Sequence, residues 1–476
     1  MTGMGRTVTE TMRRPAGRAV MAGLLLSVAL AGCARKEDVL PGERFGLRDL
    51  DEAQAMLGTA SDQAPAAPGP QPPRVIPQAG YAVIGEARAI SLPAARNIAD
   101  WPQSGQNAGH DMPHVQLGRG APTQVWATSI GQGSSKRQRL SAAPVAAGGR
   151  IFTLDSAGTV SAVGTNGTVL WSRSLVPQGE RAGAVVGGGL AVEGGTLLVT
   201  TGYGRLHALS AATGDQAWMQ DFGAATTAAP MVNGGLVYVT SRDGFGSAVD
   251  LENGRILWQI EGSAAPASVL GDGIPALAGN AVIFPFGSGE MTSVLRQAGI
   301  SLWSGSLAGT RTGRSYGAVS EVPGSPLVDG GTVYAATEAG RLAAIDAASG
   351  SRLWTSLEGA SGAVALGGGS LFLVSDEGRL LRVSASDGET VWEATLPLFE
   401  AEKVKRRKEV FVHYGPILAG GRLILASSDG LLREIDPASG TLLRSTQLGA
   451  PAAAAPIVAN GTLYILTADG TLRAFR

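Results

Sequence analysis

From Trp101 to the C-terminus the chain alternates short apolar runs with glycine-rich breaks, and one order of elements keeps returning. Its clearest copy reads Ser325-Pro326-Leu327-Val328, then Gly330-Gly331, then Thr332-Val333-Tyr334-Ala335-Ala336. Gly340-Arg341-Leu342, Ala344-Ile345-Asp346, Gly350 and Trp354 follow. Apolar residues at every second position mark strands that bury one face. Glycine pairs supply the positive φ of tight hairpins, and an aspartate ahead of a turn bonds its own backbone and shapes it. Each copy therefore predicts four antiparallel strands, the last carrying a tryptophan.

Trp171, Trp218, Trp258, Trp303, Trp354 and Trp392 all stand four residues after a turn glycine, namely Gly167, Gly214, Gly254, Gly299, Gly350 and Gly388. The slot after Gly440 holds Arg444 instead. A four-stranded repeat of about 40–50 residues is the signature of a propeller blade. The last copy, Ala455-Pro456-Ile457 through Arg473-Ala474-Phe475-Arg476, stops after its third strand. Upstream, Gln124-Val125-Trp126-Ala127-Thr128 reads as a fourth strand with no three before it. Joining the two leaves no open sheet edge between the ends of the ring. The expectation is an all-β, eight-bladed propeller over residues 96–476, with four-stranded antiparallel blades and the last blade closed by an N-terminal strand. Trp126 and the six repeat tryptophans are then packing residues.

The N-terminus reads as an address. Arg13, Arg14 and Arg18 precede an apolar run, Ala19 to Leu30, too short to span a bilayer, and small residues follow. The run ends in Leu30-Ala31-Gly32-Cys33, which resembles the lipobox of bacterial lipoproteins. That resemblance implies a signal peptide over 1–32, acylation of Cys33 and, with Ala34 rather than aspartate at the second position, sorting to the outer membrane. Residues 33–95 form the lipidated N-terminus and a tether. Within it, Ala64-Pro65-Ala66-Ala67-Pro68-Gly69-Pro70-Gln71-Pro72-Pro73 is expected to be an extended, proline-stiffened spacer.

Composition removes several functions. Cys33 is the single cysteine, so no intramolecular disulfide and no multi-cysteine metal cluster can form. The formal net charge is −1, and removing residues 1–32 takes the mature chain to about −4, which gives no basis for nucleic-acid binding. The expected channel strands, such as Ala143-Pro144-Val145-Ala146 and Ala229-Pro230-Met231-Val232, are small and apolar. Asp250, Asp346 and Asp436 occupy equivalent turn slots and belong to the repeat. Gly131-Gln132-Gly133-Ser134-Ser135-Lys136 lacks the ending of a phosphate loop, so Lys136, Arg137 and Arg139 read as a solvated loop. His110, Asp111 and His114 lie in a Gly/Pro-rich loop without supporting ligands, and His207 and His413 show no partner in the sequence. No catalytic set, metal site or cofactor is expected.

The loops are unequal. First-to-second hairpins shrink to Gly148-Gly149, Gly194-Gly195, Gly234-Gly235, Gly330-Gly331 and Gly420-Gly421. Links between blades lengthen at 131–142, 261–274, 307–324 and 396–414. Binding surfaces accumulate where loops lengthen on a rigid scaffold, so the linked face is the expected interface. One link carries Lys403, Lys405, Arg406, Arg407 and Lys408. It is a second candidate patch, for an acidic periplasmic partner or for lipid headgroups.

The repeat is similar to the PQQ-type propeller repeat found in quinoprotein dehydrogenases and in the BamB family of outer-membrane assembly lipoproteins. The lipobox, the eight blades and the terminal Asp469-Gly470-Thr471-Leu472 strand resemble BamB proteins. So do Val39-Leu40-Pro41-Gly42-Glu43-Arg44 and Trp101-Pro102-Gln103-Ser104-Gly105. The resemblance covers the mature chain apart from the proline-rich spacer. It implies a non-catalytic scaffold on the outer membrane, facing the periplasm, that binds a POTRA domain of a BamA-type protein, other machinery subunits and nascent outer-membrane proteins. Carried over by position, the contact residues are Ala267, Val269, Leu270, Glu321 and Val322, with Leu270 standing where the family has arginine. The alternatives are a lipid-anchored adaptor for another envelope complex and a quinone-dependent dehydrogenase, although the vicinal cysteine pair usual in the latter is impossible here.

Overall fold

A computed structural model describes residues 81–264, 273–307, 325–401 and 403–476. Cys33, Ala267, Val269, Leu270, Glu321 and Val322 lie outside the described residues. The described chain forms eight antiparallel sheets that follow one another around a ring. Seven are complete in local order: blade one over 145–174, two over 188–221, three over 231–261, four over 276–306, five over 327–356, six over 365–395 and seven over 413–447. Blade eight takes its inner three strands from 457–475 and its outer strand from Gln124–Ser129, which pairs antiparallel with Thr471–Phe475. Thr123 and Arg476 exchange backbone bonds at the end of that ladder, 2.8 and 3.0 Å long. The ring closes as the sequence predicts.

Burial follows strand position. Second and third strands are covered on both faces and read as near-continuous apolar runs, such as Leu197-Leu198-Val199. Fourth strands face solvent on the outside and alternate, as in Gln216–Asp221. The core lies between neighbouring blades: Phe152 and Leu154 of blade one, for example, pack with Leu190, Leu197 and Val199 of blade two.

The repeat tryptophans lock each blade to the next. Trp126, Trp171, Trp218, Trp258, Trp303, Trp354 and Trp392 lie over Gly167, Gly214, Gly254, Gly299, Gly350, Gly388 and Gly440 of the following blade. A Cβ at any of these glycines would stand 2.5–2.9 Å from an indole carbon, and φ there lies between +66° and +86°. Glycine is required twice over, for the close approach and for the left-handed backbone. Six of the indole N–H groups also donate to a carbonyl of the next blade, as Trp218 does to Leu251 at 2.9 Å. This arrangement explains Arg444. Blade eight has no turn between its third and fourth strands, because those strands come from opposite ends of the chain. A tryptophan at 444 would have no glycine to cover, and Arg444 instead pairs with Glu434 at 3.2 Å.

Two features depart from the sequence expectation. Blade six has five strands, since Val83–Gly85 pairs antiparallel with Trp392–Ala394 on its outer edge. Residues 81–95, expected to belong to the tether, are therefore bound to the propeller. The Tyr81 hydroxyl donates to the Gly440 carbonyl at 2.6 Å, and the buried Arg382 guanidinium donates to the carbonyls of Arg88 and Ala89. Their short, irregular segments carry no repeat, which is why hydrophobic periodicity did not reveal them.

Candidate partner-binding face

The segment 88–118 crosses one mouth of the ring and reaches every blade. Backbone N–H groups of Ala146, Val192, Leu277 and Val328, on the inner strands of blades one, two, four and five, donate to Trp101, Pro102, Ala108 and Gly109 carbonyls over 2.7–2.8 Å. In blade three, the side-chain amide of Gln103 replaces the backbone, accepting from Val232 N–H at 3.0 Å and donating to its carbonyl at 3.3 Å. Val115 pairs with Leu418 and Gly420 of blade seven, Asn460 N–H of blade eight donates to Ile98, and Ile90 packs against Gly368 of blade six. Inner strands otherwise present unpaired amides to the channel, so this plug satisfies them. Trp101, at 2% exposure, is its apolar centre.

The histidines join this scaffolding. His114 donates from Nδ1 to the Pro93 carbonyl at 2.7 Å and accepts from Gly421 N–H at Nε2. His110 donates from Nδ1 to the Pro326 carbonyl at 3.0 Å, and burial holds it well down, at about 4. His207 and His413 do have partners, correcting the sequence reading. His207 bonds Gln216 at 3.0 Å; His413 accepts from Ser427 and donates to the Pro397 carbonyl. Sequence spacing could not show these, because each partner lies on a neighbouring strand or link. Among the described residues, no group of three or more His, Cys, Asp or Glu side chains is placed to hold a metal ion.

The plug sits at the ends of the inner strands that lead into the trimmed hairpins. Asp100 Oδ1 accepts from Gly148 N–H, and His114 meets Gly421, both in such hairpins. One face is thus trimmed and centrally covered. All links between blades emerge on the other face, where 131–142 and 396–412 are well tied at their bases. Ser134 N–H donates to Ala468 of blade eight, and Ser156 Oγ of blade one to Gly133. The 261–274 and 307–324 links leave from fixed points as well. Ser263 N–H donates to Glu290, Thr240 Oγ1 to the Gly273 carbonyl, and buried Leu307 N–H to Gly289. Lys403, Lys405, Arg406 and Lys408 are exposed on the same face, while Arg407 lies over the Phe399 ring at 4.8 Å.

A family model described as "Outer membrane protein assembly factor BamB" matches residues 156–394 and 402–476. The chain belongs to the BamB family. The outer membrane protein assembly factor BamB of Yersinia pestis is 24% identical over 75% of this chain and 89% of its own length. That of Salmonella typhimurium (strain LT2) is 27% identical over 74% and 88%. The crystal structure of BamB from Moraxella catarrhalis superposes with a TM-score of 0.61 at 19% identity, covering 75% of this chain and all of its own. Quinohemoprotein alcohol dehydrogenase from Comamonas testosteroni gives the same TM-score at 16% identity. The propeller scaffold is common to both; the family model that matches this chain is that of BamB.

Proposed function

We propose that the protein is a non-catalytic scaffold of the outer-membrane β-barrel assembly machinery, held at the outer membrane through acylated Cys33 and facing the periplasm. The observation that carries this reading is the asymmetry of the ring within a BamB-family chain. One face is reduced to short turns and covered by the plug, and the links gather on the other. A channel whose inner-strand amides are already bonded to Trp101, Pro102, Gln103, Ala108 and Gly109 is a solid hub. Beside the plug, Asp111 and Asp329 line a cavity with Arg96 and His114, but among the described residues no three His, Cys, Asp or Glu side chains are placed to hold a quinone's cation, so no chemical step is derived through such a group.

The partner is a POTRA domain of a BamA-type protein, engaged by the neighbouring links 261–274 and 307–324 through Ala267, Val269, Leu270, Glu321 and Val322. Both links start from fixed blade edges, which limits the entropy lost when they meet a partner. Affinity purification of tagged protein from mildly solubilised envelopes, read by mass spectrometry, tests the role. Recovery of a POTRA-containing barrel protein supports it, and its loss with Val269→Asp plus Glu321→Arg, at unchanged stability, supports the interface. Recovery of a different envelope complex in its place would move the chain to the adaptor reading. Retained binding by the double variant would remove the assigned residues.

A further inference from the structure

After Lys36, the lysines of this chain are Lys136, Lys403, Lys405 and Lys408, and all lie in two links on one face of the ring. Elsewhere the propeller uses arginine. The link between blades six and seven is a built projection. Phe399 bridges Val410, Glu400 N–H donates to Glu409 and Phe411 N–H to Leu398, making a short two-stranded stem. A 3-10 turn, Val404–Arg406, forms the tip. At its base His413 clamps Pro397 to Ser427, and Val412 N–H bonds Ser428 Oγ. Among the described residues, Lys403, Lys405, Arg406 and Lys408 make no ion pair.

Glu400 and Glu409 face each other at the stem; burial and then Glu409 push the Glu400 carboxyl up, with Arg139 pulling it back. Lys136 and Arg137 of the 131–142 link are exposed as well. Glu402 is outside the described residues. Val404, between Lys403 and Lys405, is exposed at 51%, and Val410 and Val412 are exposed at 49% and 41% along the stem and its base.

We propose that this basic projection is a docking surface for anionic lipid headgroups. The tip is convex, so it lacks the desolvated pocket around aromatic or arginine anchors that marks a protein interface. Lysine is a hydrated point charge on a flexible stem, suited to mobile phosphates and less to bidentate recognition. Val404 at the tip can enter the headgroup region while the ammonium groups of Lys403 and Lys405 remain at its surface. The inference rests on the reading that the chain works at a membrane. The several acyl chains that a lipobox implies already hold the protein at the membrane, so what a basic patch adds is a fixed orientation of the ring against the lipid surface.

The test uses the mature chain, residues 33–476, with Cys33→Ser, which has neither the signal segment nor an acylation site, sedimented with vesicles of phosphatidylglycerol and phosphatidylethanolamine. Binding is expected at low salt, with release at high salt and none to phosphatidylcholine alone. Replacing Lys403, Lys405, Arg406 and Lys408 with glutamine should weaken partition by roughly five-fold per charge removed. Arg255→Gln with Arg352→Gln, at exposed positions near the third-to-fourth turns, should change nothing. Absence of binding to anionic vesicles, or equal binding by the four-fold variant, would overturn the proposal. Loss of a co-purifying acidic protein from that variant, with vesicle binding intact, would overturn it in favour of a protein partner. Failure of vesicle binding while envelope purification still recovers the barrel-assembly partner removes only this inference; the reverse result removes only the scaffold reading.

Discussion

The indole of Trp126 lies over Gly167, close enough that a Cβ there would stand 2.9 Å from the ring. Its N–H donates to the Thr165 carbonyl at 2.9 Å. Trp126 belongs to the outer strand of blade eight, and Gly167 to the hairpin that ends blade one. The closing joint of the ring therefore has the same chemistry as the joints within it, although its two blades are built from opposite ends of the chain.

Alanine at a docking glycine should be costly. At Gly254, φ is +75° and the new Cβ would meet Trp218 at 2.5 Å, so backbone strain and overpacking add. Gly254→Ala is expected to lose about 2–4 kcal/mol, read by denaturant unfolding. Arg444→Trp tests the exception. With no turn to cover, it should bring no gain in stability, whereas a gain would show that blade eight can accept the common lock.

The closing strand should be indispensable. Thr128→Pro removes an N–H from the pairing of Gln124–Ser129 with Thr471–Phe475: Ile130 N–H bonds the Gly470 carbonyl, and the alternation of the ladder makes Thr128–Leu472 the next bonded pair. Its expected signature is protease cleavage near the chain's C-terminus under conditions where the parent resists.

The repeat was legible because it is written in the sequence eight times over. Glycine, aspartate and tryptophan recur at fixed offsets, and no long-range information is needed to read them. The plug was not legible, since Ile98, Trp101, Gln103, His110 and His114 each answer a different blade and share no period. A buried tryptophan beside proline in a stretch without strand alternation was the available signal. The interface residues were transferred by resemblance rather than derived, and Leu270 in the arginine position shows why chemistry travels less well than location. The basic link was legible as charge, but its stem and its tip needed three dimensions.

The plug should contribute to stability through specific side chains. Trp101→Ala opens a cavity at its centre and is expected to cost about 3–5 kcal/mol. Gln103→Ala leaves both the N–H and the carbonyl of Val232 without their partner, at about 1–3 kcal/mol. Hydrogen exchange at Val232 should accelerate in the second variant while that at Ala146 stays slow.

Glu434 is buried between Arg422 and Arg444. Arg422 also donates to the Gly118 carbonyl, tying the far end of the plug to blade seven. Glu434→Gln leaves a buried guanidinium without its counter-charge, and a loss of about 3–5 kcal/mol is expected. Arg444→Ala should cost about 1 kcal/mol or less, because its side chain is a third exposed. Equal losses in the two variants would refute this division.

Acid should loosen the fold through two histidines. Burial lowers both His110 and His413 to about 4 from the ordinary 6.5. Between those values the unfolded chain binds the extra protons, so stability rises with pH there. The contribution is complete above about pH 6.5 and is lost as pH falls toward 4, on the order of 2–3 kcal/mol for each histidine. Denaturant midpoints measured from pH 7 to 4.5 should fall, and His110→Gln should flatten the slope even where it lowers the starting value.

The fifth strand of blade six gives the molecule a mechanical polarity. A pull entering at Tyr81 meets the bonds of Val83–Gly85 to Trp392–Ala394 first, then the guanidinium grip of Arg382 on Arg88 and Ala89, and only afterwards the plug. Those early attachments are short and lie at an edge, so they yield one after another. Beyond them, the plug is held by bonds spread round the ring, from Asn460 at Ile98 through Ala146, Val192, Leu277 and Val328 to Leu418 at Val115. Tension at the N-terminal side would therefore lengthen the leash by several residues while the ring keeps its shape.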